Sequence, residues 1–273
     1  LAIPEHIPAL IPPTPSGYEE PDPWYDPALG VALPPAVGAH ATWIQSPAGS
    51  ASTRNLLYMW KWAQPIDKSD LLKRLSEQEG GPRIWVKRDD LTECIASGNK
   101  IRKLEFTLAQ AQAEGADTII TCGGVQSNHC RATAVLGARL GLKVHLILRG
   151  EQPALADGNL FLDQLCGASV SFHPAPLYQQ GLGDLFTQWT AHYQSQGRKT
   201  FVIPTGASDG IGVWGYIACA EELKNDFAQH HIAPKYIVHA TGSGGTQAGL
   251  SAGVVLHKVD ASVIGMAVCD SEA

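Results

Sequence analysis

The 273-residue sequence has six cysteines but no C-x-x-C pair, no excess of basic charge, and no long apolar run free of polar interruption. Each absence excludes something. Cys94, Cys122, Cys130, Cys166, Cys219 and Cys269 are scattered, which suits neither a zinc site nor a small disulfide scaffold. Their even number admits bridges, but a chain of this size does not need them. They read as mostly buried thiols in a reducing cytosol. A net charge of -6 leaves no basic footprint for nucleic acid, although a local anion site stays possible. Ile237–Leu256 carries no formal charge, yet it holds five glycines together with Thr, Ser, Gln and His. A strand, a glycine loop and a helix explain it better than a membrane span. The first residues, LAIPEHIPAL, lack the basic region and apolar core of a secretory signal, so a cytoplasmic protein is expected. A start at Leu1 rather than Met implies processing or preceding residues. His40, Arg54 and the His230–His231 pair form no metal-binding pattern.

What is present is unevenly spread. Eleven of the 18 prolines lie in the first 50 residues. Proline at that density blocks helices and central strands. Residues 1–53 therefore read as an extended arm, with disorder as the alternative. Trp43, Trp60 and Trp62 favour packing. From Arg83 onward strands and helices alternate. Strands are expected at 83–87, 118–122, 144–148, 169–172, 200–204, 236–240 and 262–268. Helices are expected at 99–114, 127–140, 158–165, 183–196, 210–227 and 245–257. Repeated β-α-β units with short joins predict an α/β protein with open, twisted parallel sheets flanked by helices. No sequence repeat accompanies the alternation. Ligands of such folds sit at the carboxyl ends of strands, which singles out the loops after 122, 204 and 240.

Three stretches carry candidate chemistry. In TGSGGTQAGL (241–250) the glycines let the backbone approach a ligand while N–H groups converge at a helix start. Gly242, Ser243, Gly244, Gly245 and Thr246 thus form a candidate phosphate cradle, with a tight-packing turn as the alternative. It is not a Walker A loop, and Gln247 stands where a dinucleotide fingerprint needs Gly or Ala. A nucleotide-binding module with Asp270 on a ribose remains a rival from a different class. In GGVQSNHCR (123–131), Ser127 and Asn128 are natural helix N-cap types. Gly123 and Gly124 free the backbone before them, so the helix start with His129 or Arg131 could bind a carboxylate. In SGNKIRKLE (97–105), Lys100, Arg102 and Lys103 crowd the positive end of a helix dipole. Making a free lysine neutral at pH 7 costs about 4.6 kcal/mol. A Schiff base removes that need. A solvated surface lysine is the ordinary alternative. One aldehyde-bearing phosphate, pyridoxal 5'-phosphate, answers the lysine and the glycine loop together.

WVKRDDLT, SGNKIRKLE, GGVQSNH, DGNLFLDQLCGA, IPTGASDGIGVWGY and ATGSGGTQAGL occur in succession. From about Leu71 onward the chain resembles the D-cysteine desulfhydrase and 1-aminocyclopropane-1-carboxylate deaminase family. These are pyridoxal-phosphate enzymes of the tryptophan-synthase-β-like fold, type II. The resemblance implies a larger cofactor domain (54–112 and 207–273) and a smaller inserted α/β domain (113–206). Lys100 would anchor the cofactor covalently, Asn128 would lie against its ring, and Gly242–Thr246 would hold its phosphate. Ser127, Asn128 and His129 would take the substrate carboxylate, with Ser127 also implicated in the chemistry. QSNH and GSGGTQAG lean towards the desulfhydrase branch, which converts D-cysteine to pyruvate, hydrogen sulfide and ammonia. Alternatives are the deaminase, another fold-type-II enzyme, and a homologue that binds cofactor without turnover. Relatives continue beyond the position of Ala273. The remainder is expected to close the larger domain and to supply the pyridine-nitrogen partner. The resemblance and the long arm favour a homodimer.

Overall fold

The computed structural model describes residues 83–92 and 95–268 in full, and backbone pairing alone at 25–26, 31–32 and 69–71. The chain divides into two compact units, 1–37 and 38–273. In the first, β1 (Tyr25–Asp26) pairs antiparallel with β2 (Val31–Ala32). The rest of the segment read as an arm, 1–53, lies outside the described residues, as do Trp60, Trp62, Cys94, Cys269 and Asp270.

In the second unit β3 (Ser69–Leu71) pairs antiparallel with β4 (Trp85–Lys87). The following elements are α1 (Lys100–Ala113), β5 (Thr118–Gly124), α2 (Asn128–Arg139), β6 (Lys143–Arg149), α3 (Gly158–Leu165) and β7 (Ser169–His173). Then come α4 (Ala175–Ser195), β8 (Thr200–Val202), α5 (Trp214–Gln229), β9 (Tyr236–Thr241), α6 (Gly245–Leu256) and β10 (Ser262–Ala267). A four-stranded parallel sheet has the order β7-β6-β5-β8, and β9 and β10 form a separate parallel pair.

The central strand β5 is apolar on both faces because both are covered. Ile119 joins Leu104, Leu108, Leu136 and Leu146 in one core, built from α1, α2 and the sheet. Its neighbour Ile120 points the other way, with Ile147, onto Tyr178, Leu185 and Tyr193 of α4. In the second sheet Ile237 and Val263 pack on Tyr216, Leu223 and Leu250 of α5 and α6.

Two helices depart from the expected bounds. The helix expected at 183–196 begins at Ala175 and spans 21 residues. Pro174 stands at the N-cap and Pro176 in the first turn, where a proline costs no helical hydrogen bond. Burial of Tyr178 and Leu185 outweighs the roughly 1 kcal/mol that each of Gly181 and Gly183 costs in a helix interior. The helix expected from 210 begins at Trp214. Asp209 Oδ1 accepts from the N–H groups of Ile211 (3.1 Å) and Gly212 (2.7 Å), which holds these residues in a turn.

Buried charges tie α1 to α5. The Arg102 guanidinium pairs with Asp89 and Glu222, each at 2.9 Å, and Tyr216 Oη donates to Asp89 at 2.6 Å. Lys87 pairs with Asp226 at 2.5 Å. Such charges survive burial only when paired.

Candidate active site

The lysine turn is fixed before its lysine is placed. Gly98 has φ +100°, a conformation that L side chains rarely adopt. Its N–H donates to Asp89 O at 2.9 Å and reaches Thr92 Oγ1 at 3.2 Å. Asn99 stands at the N-cap of α1 but makes no side-chain cap bond. Its Oδ1 instead accepts from Lys100 Nζ at 3.3 Å, and its Nδ2 donates to Thr246 Oγ1 at 3.5 Å. Asn99 therefore joins the lysine to the glycine loop, 147 positions away. Burial lowers the pKa of Lys100.

The three crowded cations have different surroundings. Arg102 is neutralised by Asp89 and Glu222 and adds no free charge to the site. Lys103 is 1% exposed, and its Nζ donates to Gly206 O (3.2 Å) and Ser208 Oγ (3.1 Å). Burial, reinforced by the charge of Lys100, lowers its pKa to about 8, while Asp209 pulls the other way. Ser208 Oγ lies 2.7 Å from Ser243 Oγ in the glycine loop. A Cβ on Gly245 would lie 2.9 Å from Lys103 Nζ and 2.6 Å from Ser208 Oγ, so the loop lies directly on this cation. Sequence reasoning gave Lys103 and Asn99 no individual role. Helical spacing was an available signal for Lys103, because residues i and i+3 share a face whereas Arg102 is turned away.

The glycine loop leaves β9 and enters α6 through Gly244, whose φ is +83° and which provides no side-chain cap. The first N–H groups of α6 thus face outward without a capping side chain. A Cβ at Gly242 or Gly244 would meet nothing within 4 Å. Gly242, Ser243 and Gly244 are exposed, while Gly245 and Thr246 are buried.

The loop from β5 to α2 supplies the third part. Ser127 caps α2, its hydroxyl accepting from Cys130 N at 3.2 Å. Asn128 is exposed, and its Oδ1 accepts from Asn159 Nδ2 (2.9 Å) and Arg131 Nη1 (3.2 Å). His129 is turned inward and 2% exposed, with Nε2 2.8 Å from Thr121 Oγ1. The Thr121 hydroxyl donates its one hydrogen to Ile203 O, so His129 donates from Nε2 and keeps a lone pair on Nδ1. That Nδ1 is buried and lacks a hydrogen-bond partner. Burial, then the charges of Lys100 and Lys103, lowers the pKa of His129 to about 3, so the ring is neutral. Arg131 does not stand open to a ligand. Its guanidinium donates to Asn128, Asn159 and Ser97 O, the last at 2.7 Å. Among the described residues no group of three or more His, Cys, Asp or Glu could hold a metal ion.

The three stretches thus meet: Asn99 links lysine turn to glycine loop, and Arg131 links lysine turn to the Ser127 loop. A half-buried lysine, an uncapped helix start with open glycines and a buried second lysine beneath it suit an anionic, aldehyde-bearing group. A helix start plus cation is a ready phosphate site. Parallel sheets carrying such loops at their carboxyl ends define a cofactor-dependent α/β enzyme. The chain belongs to the pyridoxal-phosphate dependent enzymes, whose family model matches residues 64–273. Its cofactor is pyridoxal 5'-phosphate and its fold is type II of that class.

Two curated relatives and one solved structure set the neighbourhood. The mitochondrial bifunctional D-cysteine desulfhydrase/1-aminocyclopropane-1-carboxylate deaminase of Arabidopsis thaliana is 44% identical over 199 residues, covering 70% of this chain and 49% of the relative. The D-cysteine desulfhydrase of Serratia proteamaculans is 39% identical over 213 residues, covering 76% and 62%. The crystal structure of an ACC deaminase homologue superposes with a TM-score of 0.64 at 32% identity, covering 82% of this chain and 68% of that one. The chain spans between 49% and 62% of the length of the first curated relatives it matches.

Proposed function

We propose that the protein is a lyase acting on a small D-amino acid, with D-cysteine desulfhydrase as its activity and 1-aminocyclopropane-1-carboxylate deamination as the alternative. The observation that carries this reading is the Lys100–Asn99–Thr246 chain, which couples a partly desolvated amine to the glycine loop. Lys100 would hold the cofactor's aldehyde carbon, Asn128 would lie beside its ring and phenolic oxygen, and Gly242 to Thr246 with Lys103 would hold its phosphate. When bound, pyridoxal phosphate supplies an electron sink for charge leaving the substrate Cα.

Lys100 would be the group to take the Cα proton, because burial favours its neutral amine. The substrate carboxylate would lie at the start of α2, bound by Ser127, Asn128 and backbone N–H groups. The His129 side chain is committed to Thr121, so its part in carboxylate binding is assigned to its backbone. For D-cysteine and water the products are pyruvate, hydrogen sulfide and ammonia. For the cyclopropane substrate and water they are 2-oxobutyrate and ammonia. Relatives named for each activity, and one named for both, support keeping the two together.

The separate sheets support a smaller lobe at 113–206 and a larger one from 54–112 and 207–273. No helix among the described residues is long and apolar enough to cross a membrane. Cys122, Cys130, Cys166 and Cys219 are free thiols, which suits a reducing compartment such as the cytoplasm. A homodimer completes the proposal, resting on the family resemblance.

The test is sulfide release from D-cysteine beside 2-oxobutyrate release from the cyclopropane amino acid, using full-length protein. Lys100→Ala should abolish the visible band of lysine-bound cofactor and both activities. A band that persists would assign the anchor to another lysine. Ser127→Ala should keep the band and lose turnover. Full activity in that variant would leave Ser127 as a helix cap alone.

A further inference from the structure

Arg131 and Asp163 lie behind the Ser127 loop and take no part in the chemistry outlined above. Arg131 stands in the first turn of α2 and spans three segments through one planar group. Nη1 donates to Asn128 Oδ1 at 3.2 Å and to Asn159 Oδ1 at 3.1 Å, while Nη2 donates to Ser97 O at 2.7 Å. Ser97 opens the turn that places Lys100. One side chain therefore bridges the lysine turn and the Ser127 loop. Asn159 reinforces the same corner, donating to Asn128 Oδ1 and to Gln126 O. With its oxygen held by two donors, Asn128 is left with its amide N–H groups to offer a ligand.

The inner edge of the guanidinium differs from the outer. Arg131 Nε is buried without a hydrogen-bond partner, and so are both carboxylate oxygens of Asp163 on α3. Asp163 is 0% exposed. A fully buried carboxylate with no partner is costly, and the cation whose charge favours its ionised form is that of Arg131. The other titratable groups facing this cluster are Cys130 on α2 and Cys166 just past the end of α3. Lysine could not replace the arginine, because a single ammonium lacks the planar fork that reaches Ser97 and Asn128 together.

We propose that Arg131 is a positioning strap that sets the spacing between the lysine turn and the substrate-carboxylate loop through its bonds to Ser97, Asn128 and Asn159. This rests on the reading of Lys100 and Ser127–His129 as the reaction site. Burial lifts the Asp163 carboxyl to about 7, while the charge of Arg131 pulls it down.

The test uses full-length holoenzyme carrying Arg131→Lys. The variant should keep the visible band of lysine-bound cofactor, because Lys100 is untouched. Misplacing a positioned group by about 1 Å can cost roughly a hundredfold. A loss of about tenfold to a hundredfold in kcat/KM, mainly in KM, is expected for Arg131→Lys. A second readout needs no turnover. The stability difference between wild type and Asp163→Asn, measured by thermal unfolding without cofactor, should level off near pH 7, and at higher pH when Arg131 is Ala. If Arg131→Lys does not fold, Arg131→Ala titrated with ethylguanidinium replaces it, and recovery of KM supports the strap. An unchanged KM in Arg131→Lys, no recovery of Arg131→Ala with ethylguanidinium, or a stability difference that levels off at the same pH with and without Arg131 overturns the strap. A cofactor band surviving Lys100→Ala would instead overturn the site reading, so the two failures are distinguishable.

Discussion

Acidification should act on His129. The ring is 2% exposed, donates from Nε2 to Thr121, and buries Nδ1 without a partner. Its pKa falls from the ordinary 6.5 to about 3 by burial, helped by Lys100 and Lys103. Below pH 6.5 the unfolded chain takes up a proton here that the folded chain refuses. Stability from this group is therefore complete above 6.5 and is lost as pH falls towards 3. Each pH unit in that window is worth about 1.4 kcal/mol, or roughly 5 kcal/mol in all. Asp163 acts oppositely. Its carboxyl, pushed up from 3.8 to about 7, keeps a proton in the folded state that the unfolded chain releases. Its contribution falls as pH rises from 3.8 to about 7. Between roughly pH 4 and 6.5 these two slopes oppose each other, and the buried His145 and Glu105 add slopes of their own, so a wild-type stability curve alone would not isolate either. The informative quantity is the difference between wild type and His129→Gln, from urea unfolding followed by tryptophan fluorescence at pH 7.5, 6.5, 5.5 and 4.5. The difference should be constant above 6.5 and shift by about 1.4 kcal/mol per unit below it, in favour of the glutamine. A difference independent of pH from 7.5 to 4.5 would refute the burial argument.

Three further outcomes are expected. Lys103→Met removes an amine whose pKa is lowered from 10.5 to about 8. Cofactor-free protein should gain up to ~3 kcal/mol at pH 7, and the gain should shrink as pH rises from 8 to 10.5. The same variant should bind cofactor roughly tenfold to a hundredfold more weakly by spectrophotometric titration, because a charge-assisted hydrogen bond is lost. Asn99→Ala cuts the link between Lys100 and Thr246, and its kcat/KM should fall about tenfold with the fold intact by circular dichroism. Gly215→Ala would drive a methyl into the backbone carbonyl of Arg102, and urea unfolding should record a loss of about 1–3 kcal/mol or more.

Much of the fold was legible because parallel α/β units repeat one signal. Apolar runs such as TIITC mark strands covered on both faces, and glycine loops mark where strands hand over to helices. The sheet in β7-β6-β5-β8 order follows that pattern. The start of α4 was missed because local proline chemistry reads the same at a helix's first turn as in a loop, and only packing against Ile120 and Ile147 distinguishes them. Residues that would carry chemistry were visible as types: a lysine behind Gly-Asn, a Ser-Asn-His cap, three glycines at a helix start.

By itself, the sequence determined the α/β alternation, the family and the three stretches that could hold a cofactor. Tertiary structure decided how those residues divide the work. It sent Arg102 to Glu222 and Lys103 to Gly206 and Ser208 against the glycine loop, turned His129 onto Thr121, and gave Asn99 a partner 147 positions away. The reason is physical. Strand and helix periods are written in neighbouring residues, whereas desolvation and pairing depend on groups that only the folded chain brings within a few ångströms.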